Sequence, residues 1–147
     1  MTVMRGLARG AGAGSVATVA MSVVMLAAQR LGATPQPEPE AITEAGVSAL
    51  GLDVSKGRKE MLAAAAHLAY GAAMGSFFAV LAPKVPVAPS AKGPVFGLFL
   101  AVASYEGWVP AAGILPALHA QAEGRRRQLL LAHLLYGSVL GRLVPSR

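Results

Sequence analysis

An all-α, polytopic membrane protein with four transmembrane helices in one bundle is the fold this sequence predicts, on three observations. Hydrophobic residues make up 54% of the chain and charged residues only 14%, against roughly a quarter charged in soluble domains. Two long runs carry no charge at all, one between Arg9 and Arg30 and one from Met61 to Pro83. At about 1.5 Å per residue each can cross a hydrocarbon core of about 30 Å. The basic residues, finally, gather in small groups beside the apolar runs. No aromatic or Gly-rich RNA-binding pattern accompanies them, so the net charge of +6 is that of membrane flanks and no nucleic-acid partner is expected. The 147 residues are read as a single integral membrane domain.

The first helix is expected at about residues 5–31. It spaces Gly10, Gly14, Thr18 and Ser22 four apart along one face, and small residues at that spacing let another helix approach closely in lipid. Its apolar stretch is longer than a usual signal-peptide core, and "MLAAQRLGA" is a poor cleavage site, so the segment is read as retained. A polar, Pro-rich loop covers 32–60, within which "EAGVSALG" can form a short surface helix ending at Gly51. The second helix is placed at 61–83. A Pro-punctuated turn from Lys84 to Gly93 leads to the third at 94–109, which Pro110, Gly113 and Pro116 should end. The stretch "AAGILPALHAQAEGRRR" is then an interfacial connection, with a longer, kinked third helix as the alternative. The fourth helix, at 127–144, is the least apolar, since Arg142 must reach toward head groups.

One motif recurs. "AHLAYGAAMG" (66–75) returns as "AHLLYGSVLG" (132–141), with six identities in ten positions that include two of the three histidines and two of the three tyrosines. On a helix, His67, Tyr70, Gly71 and Gly75 share one face, and His133, Tyr136, Gly137 and Gly141 share its copy. Each face holds a Gly-x-x-x-Gly pair suited to tight helix contact. Two duplicated helical hairpins would account for the repeat, although the first and third helices show no convincing mutual match. Glu106 is the remaining intramembrane candidate. It either joins His67, Tyr70, His133 and Tyr136 in a polar interior cluster or reaches the head groups beside Tyr105 and Trp108.

The absence of cysteine removes thiolate catalysis and Cys-based metal sites. No Ser/His/Asp order, phosphate loop or HExxH is present, so no catalytic residue, metal site or enzyme activity is expected. The histidines most simply fix packing. The role expected is structural or accessory, through contact with lipid, with a second copy or with a membrane-protein partner. A small proton or ion carrier using the His/Glu cluster is the alternative. A third reading is a haem-binding electron carrier ligated by His67 and His133; otherwise no cofactor is called for.

Together "AGAGSVATVAMSVVM", "PQPEPEAIT", "AHLAYGAAMG", "SYEGWVPAAGILP" and "AHLLYGSVLG" resemble the small bacterial inner-membrane proteins of unknown function related to YagU. The resemblance runs from about Ala8 to Gly141 and rests on the order of the motifs. It implies a multi-pass helical protein of the bacterial inner membrane with cytoplasmic N- and C-termini, and it assigns no catalytic residue. Lys and Arg are almost evenly shared between the two sides, so charge counting leaves orientation open.

Overall fold

The structure, a computed structural model, describes residues 2–32 and 38–144, and every regular element among them is helical. α1 (Thr2–Arg30) ends at a turn where Gly32 takes a φ of 74°. The start of the Pro-rich loop, residues 33–37, lies outside the described residues, as do residue 1 and 145–147. α2 (Glu38–Ala49) begins earlier than "EAGVSALG" suggests and closes as Gly51 predicts. Leu52 N–H donates to Val47 O and Gly51 N–H to Ser48 O, with Gly51 at a φ of 66°. That is the paired ending in which a left-handed residue satisfies the last carbonyls of a helix.

α3 (Lys56–Leu81) starts five residues before Met61 and runs into a 3-10 turn at Ala82–Lys84. Nothing in "KGRKE" breaks a helix, and Lys56 and Glu60 form an exposed i,i+4 pair at 3.9 Å. α4 (Pro89–Val102) also starts five residues early. Pro89 stands in its first turn, where a missing N–H is tolerated, whereas Pro94 lies inside the helix and leaves the carbonyl one turn back without its usual donor.

The third expected helix does not run smoothly to 109. Residues 103–108 form a π-helical stretch with Gly107 at φ −104° and ψ −109°, followed by the single turn α5 (Val109–Ala111). Pro110 starts that turn, and Gly113, at a φ of 71°, ends it. A 3-10 turn at Leu118–Ala120 then leads to α6 (Glu123–Leu143), which starts four residues before 127 and so takes Arg125 to Arg127 onto its first turns.

α1 packs against α3 and α6, α4 against α6, and α2 against the outside of α3. Phe78 on α3 meets Phe96 on α4 with ring centroids 5.1 Å apart. Arg9 Nε donates to Leu143 O at 3.2 Å, so the start of α1 and the end of α6 lie at the same end of the molecule. Met21, Met25, Phe78, Phe96, Leu100 and Leu140 form the main core. A second cluster, at the opposite end, joins Tyr105, Val109, Leu118 and Leu129 with Ile42 of α2.

Two helical stretches, Val3–Arg30 and Lys56–Lys84, are long and apolar enough to cross a membrane. α4 by itself, with 14 residues, spans about 21 Å. α6 carries four arginines. Length and composition therefore support two of the four expected spans directly.

A histidine-lined cavity as the candidate functional site

Backbone contact between glycines sets where the side chains of this site lie. A Cβ added at Gly14 would overlap Gly71 O, and one at Gly75 would overlap Gly10 O, so α1 and α3 touch main chain to main chain. At Gly71 the added Cβ would overlap the Thr18 hydroxyl, which donates to Gly14 O at 2.8 Å. The crossing of α4 and α6 is built alike. A Cβ at Gly93 would overlap Gly137 O, one at Gly97 would overlap His133 O, and one at Gly141 would press on Gly93 Cα at 3.0 Å. Gly10, Gly14, Thr18, Gly71, Gly75, Gly137 and Gly141 thus stand where close helix approach requires small residues.

These crossings bring the two copies of the decapeptide together. His67, Tyr70, His133 and Tyr136 all line one small void of about 20 Å³, together with Thr18 and Leu100. Ser22, the last of the four-residue ladder, lies 3.3 Å from His67 Nδ1 through its hydroxyl. Tyr136 is buried and donates to Gly71 O at 2.7 Å, whereas Tyr70 is 40% exposed with its hydroxyl 3.4 Å from Ser104 Oγ. His133 is buried too, and its Nδ1–H donates to Leu129 O one turn back at 2.9 Å. Tyr105 stands edge-on to the His133 ring, centroids 5.7 Å apart.

Beside the void lies a cavity of about 250 Å³ beneath α2. Met21 and Met25 of α1, Ile42 of α2 and Val109 form apolar wall, and His67, Tyr70, Ser104 and His133 provide its polar groups. The π-helical stretch positions the Ser104 side: its extra residue per turn places Ser104 and Tyr105 inward, both buried, while Glu106 turns out. Irregular π-turns of this kind recur where a helix shapes a site. Ile42 and Pro39 line the cavity, and on the other side of α2 Glu44 pairs with Lys59 at 3.3 Å.

Glu106 does not join the cluster, which corrects that half of its expected placement. Its Oε1 accepts the His119 backbone N–H and its Oε2 the His119 Nδ1–H, each at 2.8 Å, at an exposed position between the π-helical stretch and the following loop. A carboxylate at the end of a helical segment finds a donor in the adjoining loop more cheaply than in an apolar interior.

Sequence reasoning missed Gly93 and Gly97 as the faces that receive α6, although "GPVFG" is itself a Gly-x-x-x-Gly pair. It also missed Ser104, Tyr105 and the pairing role of His119; no spacing rule connects residues that meet only through a loop. Among the described residues no group of three His, Asp or Glu side chains converges as a metal site.

Compared with known proteins, the chain matches one family, described as a family of unknown function, DUF6789, over residues 4–145. That match carries no link to YagU-related proteins. No curated protein and no solved structure matches.

Proposed function

The chain belongs to DUF6789, a family of unknown function, so membership supplies no activity, and we propose that it is a four-span protein of the bacterial inner membrane with a structural or accessory role. The observation that carries this reading is the amount of large apolar side chain left on the outside of an apolar core. Glycine, alanine, threonine and histidine occupy the helix contacts, while Val16, Val19 and Val23 of α1, Phe77 of α3, Phe99 and Val102 of α4 and Leu131 of α6 face outward. Soluble proteins rarely leave apolar surface in such continuous stretches; lipid covers it at no cost. In this reading α4, the π-helical stretch and α5 together make the third span, since their 23 residues (89 to 111) extend about 34 Å at helical rise. α6 makes the fourth, with Arg125 to Arg127 at one head-group plane and Arg142 at the other.

Two duplicated hairpins fit the same picture, because Gly93 relates to Gly137 and Gly141 as Gly14 relates to Gly71 and Gly75. Both termini are assigned to the cytoplasm, and the outward faces are available to lipid, to a second copy or to a membrane partner. The visible spectrum and native mass of the protein purified in mild detergent test the role together. A colourless species heavier than the monomer is expected. A colourless monomer with no co-purifying protein would contradict an accessory role, and a Soret band would favour haem instead. Haem has less geometric support, since a cavity of about 250 Å³ lies below the roughly 300–1,000 Å³ of pockets for drug-sized ligands.

The proton-carrier reading keeps one observation in its favour, that His67, His133, Tyr70 and Tyr136 border a common void. It must now work without Glu106, and Phe78, Phe96 and Leu140 fill the core toward the other end. Proton flux into proteoliposomes, lost in His67→Ala and His133→Ala, would support it; no flux from the wild type would remove it.

A further inference from the structure

We infer that the cavity beneath α2 binds the head of a hydroxyl-bearing amphiphile, a phenol or a long-chain alcohol that enters from the surrounding lipid. The chemistry follows from the hydrogen bonds already made. His133 is only 7% exposed, its Nδ1–H is engaged by Leu129 O, and Nε2 has no hydrogen-bond partner among the described residues. A neutral imidazole that donates from Nδ1 carries its lone pair on Nε2, so the His133 ring that borders the cavity has an acceptor to offer an incoming donor. Ser104, Tyr70 and His67 line the same space and can donate back. A hydroxyl group is the simplest head that gives one hydrogen bond and receives another. A ketone or quinone carbonyl only accepts and would leave Nε2 unmet. A phosphate or carboxylate would call for a Lys or Arg in the wall, and among the described residues the wall has neither. The methionine, isoleucine and valine surfaces suit the carbon skeleton that carries the head.

The point of entry follows from exposure. Among the wall residues Tyr70 and Trp108 are large side chains left 40% and 45% exposed, and they stand on α3 and at the end of the π-helical stretch, on helix flanks. The outer side of α2, by contrast, is lined by Glu44, Lys59 and their charged neighbours, a route that an apolar carbon chain avoids. An occupant therefore comes sideways, past the helix flanks. The membrane reading above supplies its source in lipid, but binding itself does not depend on that reading.

Trp108 is the chain's single tryptophan and lies in the wall, so its fluorescence reports occupancy. Purified protein in detergent would be titrated with 4-hexylphenol and with 1-decanol, each beside its methyl ether, which matches it in carbon skeleton and lacks the donor. Saturable change with either hydroxyl probe, roughly three- to tenfold tighter than with its ether, is expected, the size of one net hydrogen bond. Which probe binds more tightly distinguishes a phenolic from an aliphatic source. His133→Phe should erase the preference over the ether. Ala66→Phe, which projects bulk into the cavity from an exposed wall position, should abolish saturation with the thermal midpoint retained, and it decides the matter if His133→Phe does not fold. Non-saturable partitioning, equal affinity for alcohol and ether, or unchanged binding in Ala66→Phe would overturn the proposal. Recovery of the wild-type chain from the soluble fraction, still binding the hydroxyl probes, would instead overturn the membrane reading and retain the site.

Discussion

Tyr136 of α6 donates its hydroxyl to the main-chain carbonyl of Gly71 on α3, 2.7 Å away, so one copy of the repeated decapeptide grips the other. Its sequence counterpart Tyr70 does nothing comparable. Its hydroxyl lies 3.4 Å from Ser104 Oγ, and the side chain borders the cavity mouth. Two residues that the sequence presents as equivalent therefore have different work. Tyr136→Phe should lower stability in detergent by about 0.5–1.5 kcal/mol, a typical net hydrogen-bond contribution, and Tyr70→Phe by no more than a few tenths. Thermal or denaturant unfolding of the two variants checks this, and equal losses would count against the distinction.

The glycine contacts predict opposite signs for neighbouring substitutions on one helix. Gly14→Ala places a methyl group against Gly71 O, whereas Gly12 has nothing near the position its Cβ would take. Gly14→Ala should cost about 1–3 kcal/mol through overpacking. Gly12→Ala should stabilise by about 0.4–1 kcal/mol, because alanine loses less backbone freedom on ordering. Gly97→Ala, against His133 O, should behave like Gly14→Ala. If all three variants were equally stable, the faces would not be in contact.

The Glu106–His119 pair ties the π-helical stretch to the loop that follows it, through two contacts of 2.8 Å to the carboxylate. Glu106→Ala should move the His119 amide resonance in an NMR spectrum while leaving thermal stability in detergent nearly unchanged, as for other exposed pairs. An unmoved His119 amide would show that the pair does not form in solution.

Much of the site was legible because its parts are local. Gly51 marks the end of α2 through a positive φ that the sequence announces, and the repeated frame picks out His67, Tyr70, His133 and Tyr136 by helical spacing alone. What lay beyond reach depends on partners. A Gly-x-x-x-Gly pair shows that a face is small without saying which helix fills it, so Gly93 and Gly97 went unmatched with α6. The π-helical stretch arises where Gly107 and Pro110 interrupt an otherwise regular helix, and only the packed structure shows that the break buries Ser104 and Tyr105. α2 reads as a polar surface helix; its role as a roof rests on Ile42 and Pro39 reaching the cavity.

Membrane insertion with both termini on one side and α2 on the other is the central claim, and cysteine accessibility tests it most directly. The chain has no cysteine of its own, so Ser48→Cys in α2 and Ser90→Cys at the start of α4, both exposed positions, can each carry the only thiol. In intact cells a membrane-impermeant maleimide should label Ser48→Cys, and Ser90→Cys should react only after the membrane is broken. Labelling of both thiols from the same side, or recovery of the protein in the soluble fraction, would contradict the account.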